Sequence, residues 1–264
     1  MREQVLGRIN ELTKENVFVA FSGGADSSLI LKLSCDAAKL NNTKVYAVML
    51  NTRLHPKGDL ENAKKISEET GAQFIVVDID ELEDTQIKNN PKDRCYLCKK
   101  AMFKRLQEKA GEFGITTILE GTNRDDLKMY RPGIRALKEL GIISPLAEAQ
   151  ITKIEVRKWL CELGISTAQR ASAPCLATRL PYGDRIDYEL LSRIDKGEAY
   201  LRELGFYNVR LRVHKNIARI EVDRSDIHKL VDYACEITDV LKKLGFVYIT
   251  IDLEGFRSGS MDIE

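Results

Sequence analysis

The sequence has no run of 18 or more apolar residues and no excess of either charge. Its 41 lysines and arginines face 40 aspartates and glutamates, which leaves a formal net charge of +1. Without such a run, no membrane-spanning helix is predicted. The balanced charge provides no general attraction to a polyanion. We therefore expect no membrane partner and do not expect a nucleic-acid partner.

Histidine and cysteine are also scarce, with three histidines and six cysteines in 264 residues. So few scattered cysteines do not form the disulfide framework of a small secreted protein. The first 15 residues predict an amphipathic helix that contains acidic residues, unlike a signal peptide. We therefore expect a cytoplasmic protein whose thiols act as ligands, as nucleophiles or as core residues.

The stretch from Val17 to Ser28, VFVAFSGGADSS, predicts a buried strand, a sharp turn and the start of a helix. Gly23 and Gly24 carry no Cβ atom, so the backbone can approach an anion closely at the turn. The free N–H groups and the dipole of a helix start favour negative charge. The pattern therefore predicts a phosphate-binding loop. Its polar side chains are Ser22, Asp26 and Ser27.

This loop is neither a Walker A motif nor a GxGxxG motif, because no lysine follows its second glycine and its glycines are adjacent. SGGADS resembles the SGGxDS signature of the PP-loop ATP pyrophosphatase superfamily. The resemblance implies that ATP is bound and that the loop holds the pyrophosphate released when ATP adenylates a substrate. Asp26 is the predicted ligand of Mg²⁺, because this cation prefers carboxylate and phosphate oxygens.

The first half of the chain alternates predicted strands and helices. Further strands are predicted at 45–50, 74–79 and 117–120, which indicates an α/β fold with a doubly wound parallel sheet. This is the fold of the PP-loop, adenine nucleotide alpha hydrolase-like proteins. Ligands of such sheets bind beyond the carboxyl ends of the strands. Asn51 lies there and is a candidate for binding the nucleoside part of ATP.

The segment from 121 to 126 is predicted to be a second polar loop at the same edge, and Pro145 is predicted to stop a short strand. An irregular stretch from 164 to 188 follows. It leads to predicted helices at 190–204 and 227–244 and to strands at 209–213, 218–222 and 247–253. The expected domains are a PP-loop domain of residues 1–186 and a small α+β domain of residues 187–264. We assign substrate binding, phosphate binding and oligomerisation to the second domain.

Cys95 and Cys98 form a CxxC motif, RCYLCKK, at a predicted helix start whose dipole stabilises thiolates. No second CxxC exists. Cys175 is the third candidate, since the remaining cysteines lie at apolar positions of helical patterns. Three thiols can hold a [4Fe–4S] cluster with one iron left open to another ligand. Zinc, a disulfide or no role at all remain alternatives. The remaining cysteines are Cys35, Cys161 and Cys235.

Three segments resemble the LarE family, whose members are ATP-dependent sulfurtransferases that make the nickel-pincer nucleotide. These are PCLATR, EAYLRELGFYNVRLRVHKNIARIEV and IDLEGFRSGSMDIE. The likeness extends from SGGADS through EGTNRDD to the last predicted strand. It implies that a carboxylate of a pyridinium dicarboxylate mononucleotide is adenylated. A sulfur donor such as inorganic sulfide then converts the carboxylate to a thiocarboxylate.

The fate of Cys175 differs between two branches of that family. In one branch the cysteine of the PCL motif is sacrificed, and its own sulfur is transferred. In the other branch the same cysteine joins a CxxC motif to hold a [4Fe–4S] cluster, which carries the transferred sulfur. Because RCYLCKK is present, this sequence matches the second pattern.

The resemblance also implies roles for residues of the second domain. Arg210 and Arg212 alternate on a strand and share one face, so they could clamp a phosphate. The alternative is a solvated polar sheet face. Glu198 matches an acid near this site and is a candidate catalytic residue. Tyr96 matches an aromatic active-site residue, and the likeness suggests a homo-oligomer.

Three other functions remain possible. A PP-loop tRNA thiolase also combines SGGxDS with cysteines, although the balanced charge argues against it. An amide-forming ligase would have no use for the three thiols. A non-catalytic iron–sulfur or zinc carrier would not cleave ATP.

Overall fold

A computed structural model of the chain describes residues 1–55, 59–129, 131–166, 175–257 and 259–261. The backbone divides into two compact units. The first comprises Met1–Arg53, Lys57–Gln86 and Asp93–Ser172, and the second comprises Leu54–Pro56, Ile87–Lys92 and Ala173–Glu264. None of the described helices combines the length and the apolar character that a membrane crossing needs. The predicted functional division at residues 186 and 187 stays a prediction.

The first unit contains a parallel four-stranded sheet in the order β3-β2-β1-β4, which confirms the predicted α/β fold. Its strands are β1 (Val17–Ala20), β2 (Val45–Thr52), β3 (Gln73–Ile79) and β4 (Ile118–Leu119). Its helices are α1 (Arg2–Leu12), α2 (Ala25–Asn41), α3 (Asp59–Thr70), α4 (Glu81–Asp84), α5 (Arg94–Glu112), α6 (Arg124–Leu127), α7 (Gly133–Glu139), α8 (Pro145–Glu148) and α9 (Lys153–Glu162).

Both faces of this sheet are covered, as the alternation of side chains along β1 shows. Val17 and Val19 join an apolar cluster with Leu29, Ile30 and Trp159 on one face. The opposite face carries a second cluster, which includes Phe18, Tyr46, Phe103, Leu106 and Leu137. Because both faces of the sheet are covered, the sequences of its strands are nearly continuous apolar runs.

Two local predictions in this unit were wrong. The predicted loop at 121–126 contains α6, which Asn123 begins as part of a capping box with Asp126. Pro145 does not stop a strand but begins α8, because a proline without an N–H group suits the first helical turn. Ile143 contributes only an isolated bridge to Leu119.

The second unit contains a smaller sheet in the order β5-β6-β7, which confirms the predicted C-terminal sheet. Strands β5 and β6 form an antiparallel hairpin, and β7 pairs with β6 in parallel. Its described elements are a 3₁₀ turn (Leu176–Arg179), α10 (Tyr188–Glu203), β5 (Val209–His214), β6 (Ile217–Val222), a second 3₁₀ turn (Arg224–Asp226), α11 (Ile227–Asp232), α12 (Ala234–Lys243) and β7 (Tyr248–Ile251).

The sheet of the second unit has one apolar and one charged face. The buried side chains of Leu211, Ile220 and Val222 occupy the apolar face. Helix α10 approaches this face closely at Gly197, where a Cβ atom would lie 2.8 Å from the Leu211 side chain. The opposite face carries Arg210, Arg212, His214, Arg219 and Glu221.

Several predictions for the second half differ from the structure. The helix predicted at 227–244 is two helices that meet at Tyr233. Leu230, Ile237 and Leu241 keep helical spacing across the break, so the apolar pattern indicates one continuous helix. Cys161 and Cys235 are exposed rather than buried, whereas Cys35 is buried as predicted. In α9 the buried face is formed by Val156, Trp159 and Leu160. Of the predicted irregular stretch, residues 167–174 lie outside the described residues.

Candidate active site

The predicted phosphate-binding loop joins β1 to α2. Gly23 has a φ of +68°, and a Cβ atom there would lie 3.0 Å from Asn62 Nδ2 and 3.3 Å from Ala63 Cα. Asn62 Nδ2 also donates a hydrogen bond to the Gly23 carbonyl oxygen, with a distance of 3.1 Å. Glycine is therefore required at this position both by backbone conformation and by the close approach of α3.

Two serine hydroxyls hold the shape of this loop. Ser27 Oγ accepts a hydrogen bond from the Ser22 N–H at 3.3 Å and donates one to the Gly24 carbonyl at 3.2 Å. The hydroxyls of Ser22 and Ser27 lie 3.2 Å apart. Gly24 is the N-cap residue of α2 and has no side-chain oxygen with which to cap it. The amide donors of the first helical turn therefore remain available to an anion.

Asp26 lies in the first turn of α2 and has two partners from elsewhere in the unit. Its Oδ1 accepts a hydrogen bond from Asn123 Nδ2 at 3.1 Å, and its Oδ2 forms an ion pair with Lys153 Nζ. About a fifth of its side chain is exposed. A carboxylate oxygen beside the helix start suits Mg²⁺ together with phosphate oxygens.

The segment after β4 positions this carboxylate. A Cβ atom on Gly121 would lie 2.7 Å from the Ser27 backbone nitrogen, so only glycine allows the segment to approach α2 this closely. Asn123 is buried, and its Oδ1 accepts from the N–H groups of Asp125 and Asp126. Hydrogen bonds therefore hold both the oxygen and the nitrogen of its side-chain amide, with the nitrogen donating to Asp26.

Sequence reasoning missed Asn62, Asn123 and Lys153. The sequence does contain a signal for the helix starts at which Asn123 and Lys153 lie. Asn123 precedes Asp126 by three residues, and Thr152 precedes Glu155 by three, as in capping boxes. The Lys153 N–H donates to Asp125 Oδ2 at 2.8 Å, which ties the start of α9 to the same segment. The ion pair between Lys153 and Asp26 has no signal in the sequence.

Asn51 lies at the carboxyl edge of the sheet, as predicted. Its side-chain amide donates to Asp78 Oδ1 at 2.7 Å, and the two residues are directly paired on β2 and β3. Together they offer donors and acceptors of the kind that bind the hydroxyl groups of a nucleoside.

Cys95 and Cys98 lie near the start of α5, as predicted. Cys95 is exposed, and Cys98 is half-buried with its Sγ 3.4 Å from Met102 Sδ. Beside them, the Tyr96 hydroxyl donates to Glu139 at 2.7 Å, and the Arg135 guanidinium lies 3.7 Å from the centre of its ring. A pair of accessible thiols one helical turn apart suits the coordination of a soft metal.

Cys175 belongs to the second unit and precedes a 3₁₀ turn. Its carbonyl oxygen accepts hydrogen bonds from Thr178 Oγ1 at 2.7 Å and from Arg179 Nη1 at 3.3 Å. Within the described ranges, no group of three or more His, Cys, Asp or Glu side chains is arranged to hold a metal ion. The three-cysteine ligand set stays a prediction.

Glu198 is completely buried and surrounded by donors. Arg179, itself 1% exposed, binds it in a bidentate manner with distances of 2.7 and 2.9 Å. Arg202 and the Leu211 N–H donate to the same carboxylate. Burial by itself would raise the pKa of Glu198, but the hydrogen bonds and the charge of Arg179 hold it below its ordinary value. This arrangement favours a positioning role, and the predicted catalytic role stays a prediction.

Arg210 and Arg212 share the charged face of the small sheet, which is buried rather than solvated. Arg212 Nε donates to Glu221 at 3.1 Å, and Arg212 Nη1 donates to the Thr178 carbonyl at 2.8 Å. Arg210 donates only to the Val209 carbonyl and pairs with no described carboxylate. Burial, followed by the charge of Arg179, lowers the pKa of Arg210 to about 10.

A buried guanidinium without a carboxylate partner is costly, and an anion would relieve that cost. Arg210 is therefore the strongest candidate anion-binding residue in the second unit. His214 shares this face of β5, and burial together with the charge of Arg219 lowers its pKa, so it adds no positive charge at neutral pH.

The PP-loop domain family matches residues 1–130 of the chain. The chain is 38% identical to the pyridinium-3,5-bisthiocarboxylic acid mononucleotide synthase of Lactiplantibacillus plantarum, covering 94% of this chain and 89% of that protein. It is also 38% identical to an uncharacterized protein of Synechocystis, covering 94% and 92%. A glutamine-hydrolyzing GMP synthase component of Thermoplasma acidophilum is 28% identical over 67% of this chain and 61% of that one.

The parallel sheet, the loop at Gly23 and Gly24 and the domain match define a PP-loop protein, an enzyme that uses ATP. Similarity over nearly the whole length places the chain more narrowly. It belongs to the LarE family of ATP-dependent sulfurtransferases.

Proposed function

We propose that this protein converts a carboxylate of a pyridinium dicarboxylate mononucleotide into a thiocarboxylate at the expense of ATP. A carboxylate oxygen attacks the α-phosphorus of ATP, and the bond to the leaving pyrophosphate breaks. The sulfur donor then attacks the acyl carbon, and AMP leaves. The observation that carries the proposal is similarity to the Lactiplantibacillus synthase over 94% of this chain, combined with an intact PP-loop.

The residues around Gly23 are proposed to bind ATP. The amide donors at the start of α2 and the hydroxyls of Ser22 and Ser27 receive the departing pyrophosphate, and Asp26 holds Mg²⁺. Mg²⁺ would neutralise charge on the phosphates as it develops. The ion pair with Lys153 suggests that Lys153 leaves Asp26 when the metal binds and turns to a phosphate oxygen. Asn51 and Asp78 are proposed to bind the nucleoside.

Arg210 and Arg212 are proposed to bind the phosphate of the mononucleotide. Arg210 offers a buried positive charge that forms no ion pair with a described carboxylate, and a phosphate monoester carries close to two negative charges at neutral pH. Glu198 is proposed to act through Arg179, whose planar guanidinium it holds in one orientation.

Cys95, Cys98 and Cys175 are proposed to hold a [4Fe–4S] cluster. The cluster would supply one iron with an open position at which a sulfide can bind. The exposure of Cys95 and the partial exposure of Cys98 and Cys175 suit ligands of an added cofactor. The alternative use of Cys175 is the sacrifice of its own sulfur.

The proposal is tested with protein purified without oxygen and supplied with ATP, Mg²⁺, sulfide and the dicarboxylate mononucleotide. We expect AMP, pyrophosphate and a thiocarboxylate product by mass spectrometry, and we expect Asp26→Asn to form almost none of them. A protein that forms no AMP under these conditions would contradict the proposal. AMP release that requires tRNA instead of the mononucleotide would favour a tRNA thiolase.

Assembly and location remain proposals as well. We propose a cytoplasmic homo-oligomer on the basis of the family resemblance. Light scattering coupled to size-exclusion chromatography gives the number of chains in the assembly. A monomer at micromolar concentration would contradict the proposed homo-oligomer.

A further inference from the structure

The segment that follows β7 continues beside β6 through a turn and then lies against the charged face of the small sheet. Asp252 N–H donates to the Ile220 carbonyl at 2.9 Å, and Phe256 N–H donates to the Val222 carbonyl at 2.7 Å. Gly255 allows this turn, because it has a φ of +74° and its Cβ atom would lie 2.9 Å from the Val222 oxygen. We call residues 252–257 and 259–261 the strap.

The strap contacts Arg210 through Phe256. The Arg210 guanidinium lies 5.0 Å from the centre of the Phe256 ring, within the range of a cation–π interaction. Apart from one hydrogen bond to the Val209 carbonyl, this ring is the partner of Arg210 among the described residues. A cation–π contact does not use an N–H group as a donor to a carboxylate, so the N–H groups of Arg210 other than the one bound to Val209 can still donate to an anion. These are the groups that bind a phosphate in a bidentate manner.

The strap reaches Arg212 through Glu221. Ser260 Oγ donates to Glu221 Oε1 at 2.6 Å, and Glu221 Oε2 accepts from Arg212 Nε at 3.1 Å. Glu221 is fully buried, so its orientation depends on these partners and on Arg219, which also donates to Oε1. Ser260 therefore helps to determine which carboxylate oxygen faces Arg212.

We propose that the strap positions Arg210 and Arg212 for binding a phosphate monoester, with Phe256 and Ser260 as its positioning residues. This inference rests on the proposed function of the two arginines. A strap that already orders both guanidinium groups reduces the conformational entropy lost when the anion binds. A segment that only covers the sheet would affect unfolding but not phosphate binding.

The test measures the binding of inorganic phosphate to the full-length protein by calorimetry. We expect Phe256→Leu to weaken binding by about fivefold to tenfold, because it keeps an apolar side chain but removes the ring. Phe256→Tyr keeps the aromatic ring and should bind phosphate as tightly as the unchanged protein. Ser260→Ala should weaken it by about threefold. Leu253→Ala is the matched control, since Leu253 belongs to the strap but is 79% exposed.

A second arm separates free phosphate from the mononucleotide. In steady-state assays Phe256→Leu should raise the KM for the mononucleotide by a similar factor, while the KM for ATP stays unchanged. Arg210→Ala tests the proposed function itself: if it binds phosphate normally, the anion site is wrong. If Arg210→Ala loses binding but Phe256→Leu and Ser260→Ala both bind normally, the positioning role of the strap is refuted. Should Phe256→Leu not fold, Ser260→Ala decides alone.

Discussion

At the scale of single residues, the first unit places two opposite charges against each other at the start of α2. Asp26 and Lys153 are 127 positions apart in the chain and form an ion pair there. Each of them is proposed to exchange this partner for a component of Mg-ATP. The pair would thus keep the carboxylate oriented before the nucleotide arrives.

The role of Lys153 can be measured directly. We expect Lys153→Ala to lower kcat/KM for ATP by about tenfold to a hundredfold, because a phosphate loses a charged partner. Lys158→Ala is the matched control, since Lys158 lies in the same helix and is exposed. Equal activity of the two variants would remove Lys153 from the ATP site.

The lowered pKa of Glu198 should make the free energy of unfolding depend on pH. Its pKa is lower in the folded than in the unfolded state, so its contribution to stability is present above the ordinary value of 4.5 and is lost as the pH falls through the lowered value. Glu198→Ala should reduce the free energy of unfolding by about 3–5 kcal/mol at neutral pH, because it removes the carboxylate that forms an ion pair with the buried Arg179.

Urea unfolding between pH 3 and pH 7 provides the measurement. The loss of stability with acid should be smaller in Glu198→Ala than in the unchanged protein. Parallel pH profiles would show that Glu198 is not held below its ordinary pKa.

At the scale of elements, close backbone contacts determine where the loops of the site lie. The PP-loop meets α3 at Gly23, and α2 meets the segment after β4 at Gly121. In both places the missing Cβ atom allows the contact. The predicted loop at 121–126 was recognised as part of the site edge, but its helical turn and the amide of Asn123 were not.

Gly121→Ala should therefore disturb the PP-loop. A Cβ atom 2.7 Å from the Ser27 nitrogen must displace the segment or α2, so we expect AMP formation to fall by at least about tenfold, with a stability loss of about 1–3 kcal/mol. Gly7→Ala is the control, because nothing lies within 4 Å of its Cβ position in α1. That variant should be slightly stabilised. Normal AMP formation by Gly121→Ala would show that the contact is dispensable.

At the scale of the whole molecule, the three candidate thiols are divided between the two units. Cys95 and Cys98 belong to the first, and Cys175 belongs to the second. Because a preformed set of ligands rarely exists in an unfolded chain, formation of a cluster held by all three thiols would depend on folding.

Iron analysis of protein reconstituted without oxygen tests this ligand set. We expect about four irons per chain and several thiolated products per chain when sulfide and ATP are supplied. Cys95→Ala and Cys175→Ala should lose the cluster, whereas the exposed Cys161 can be replaced by alanine without effect. A yield of one product per chain, with sulfur lost from Cys175, would indicate sacrifice instead.

The α/β fold, the PP-loop and the family could all be predicted from the sequence, because apolar periodicity, adjacent glycines and a long resemblance are local or linear signals. The alternation of Arg210 and Arg212 on one strand was a signal of the same kind. The burial of that strand face, the cation–π contact of Arg210 with Phe256 and the pairing of Lys153 with Asp26 became known only from the folded chain. These contacts join residues far apart in the sequence, and burial and charge pairing arise only when folding brings such residues together.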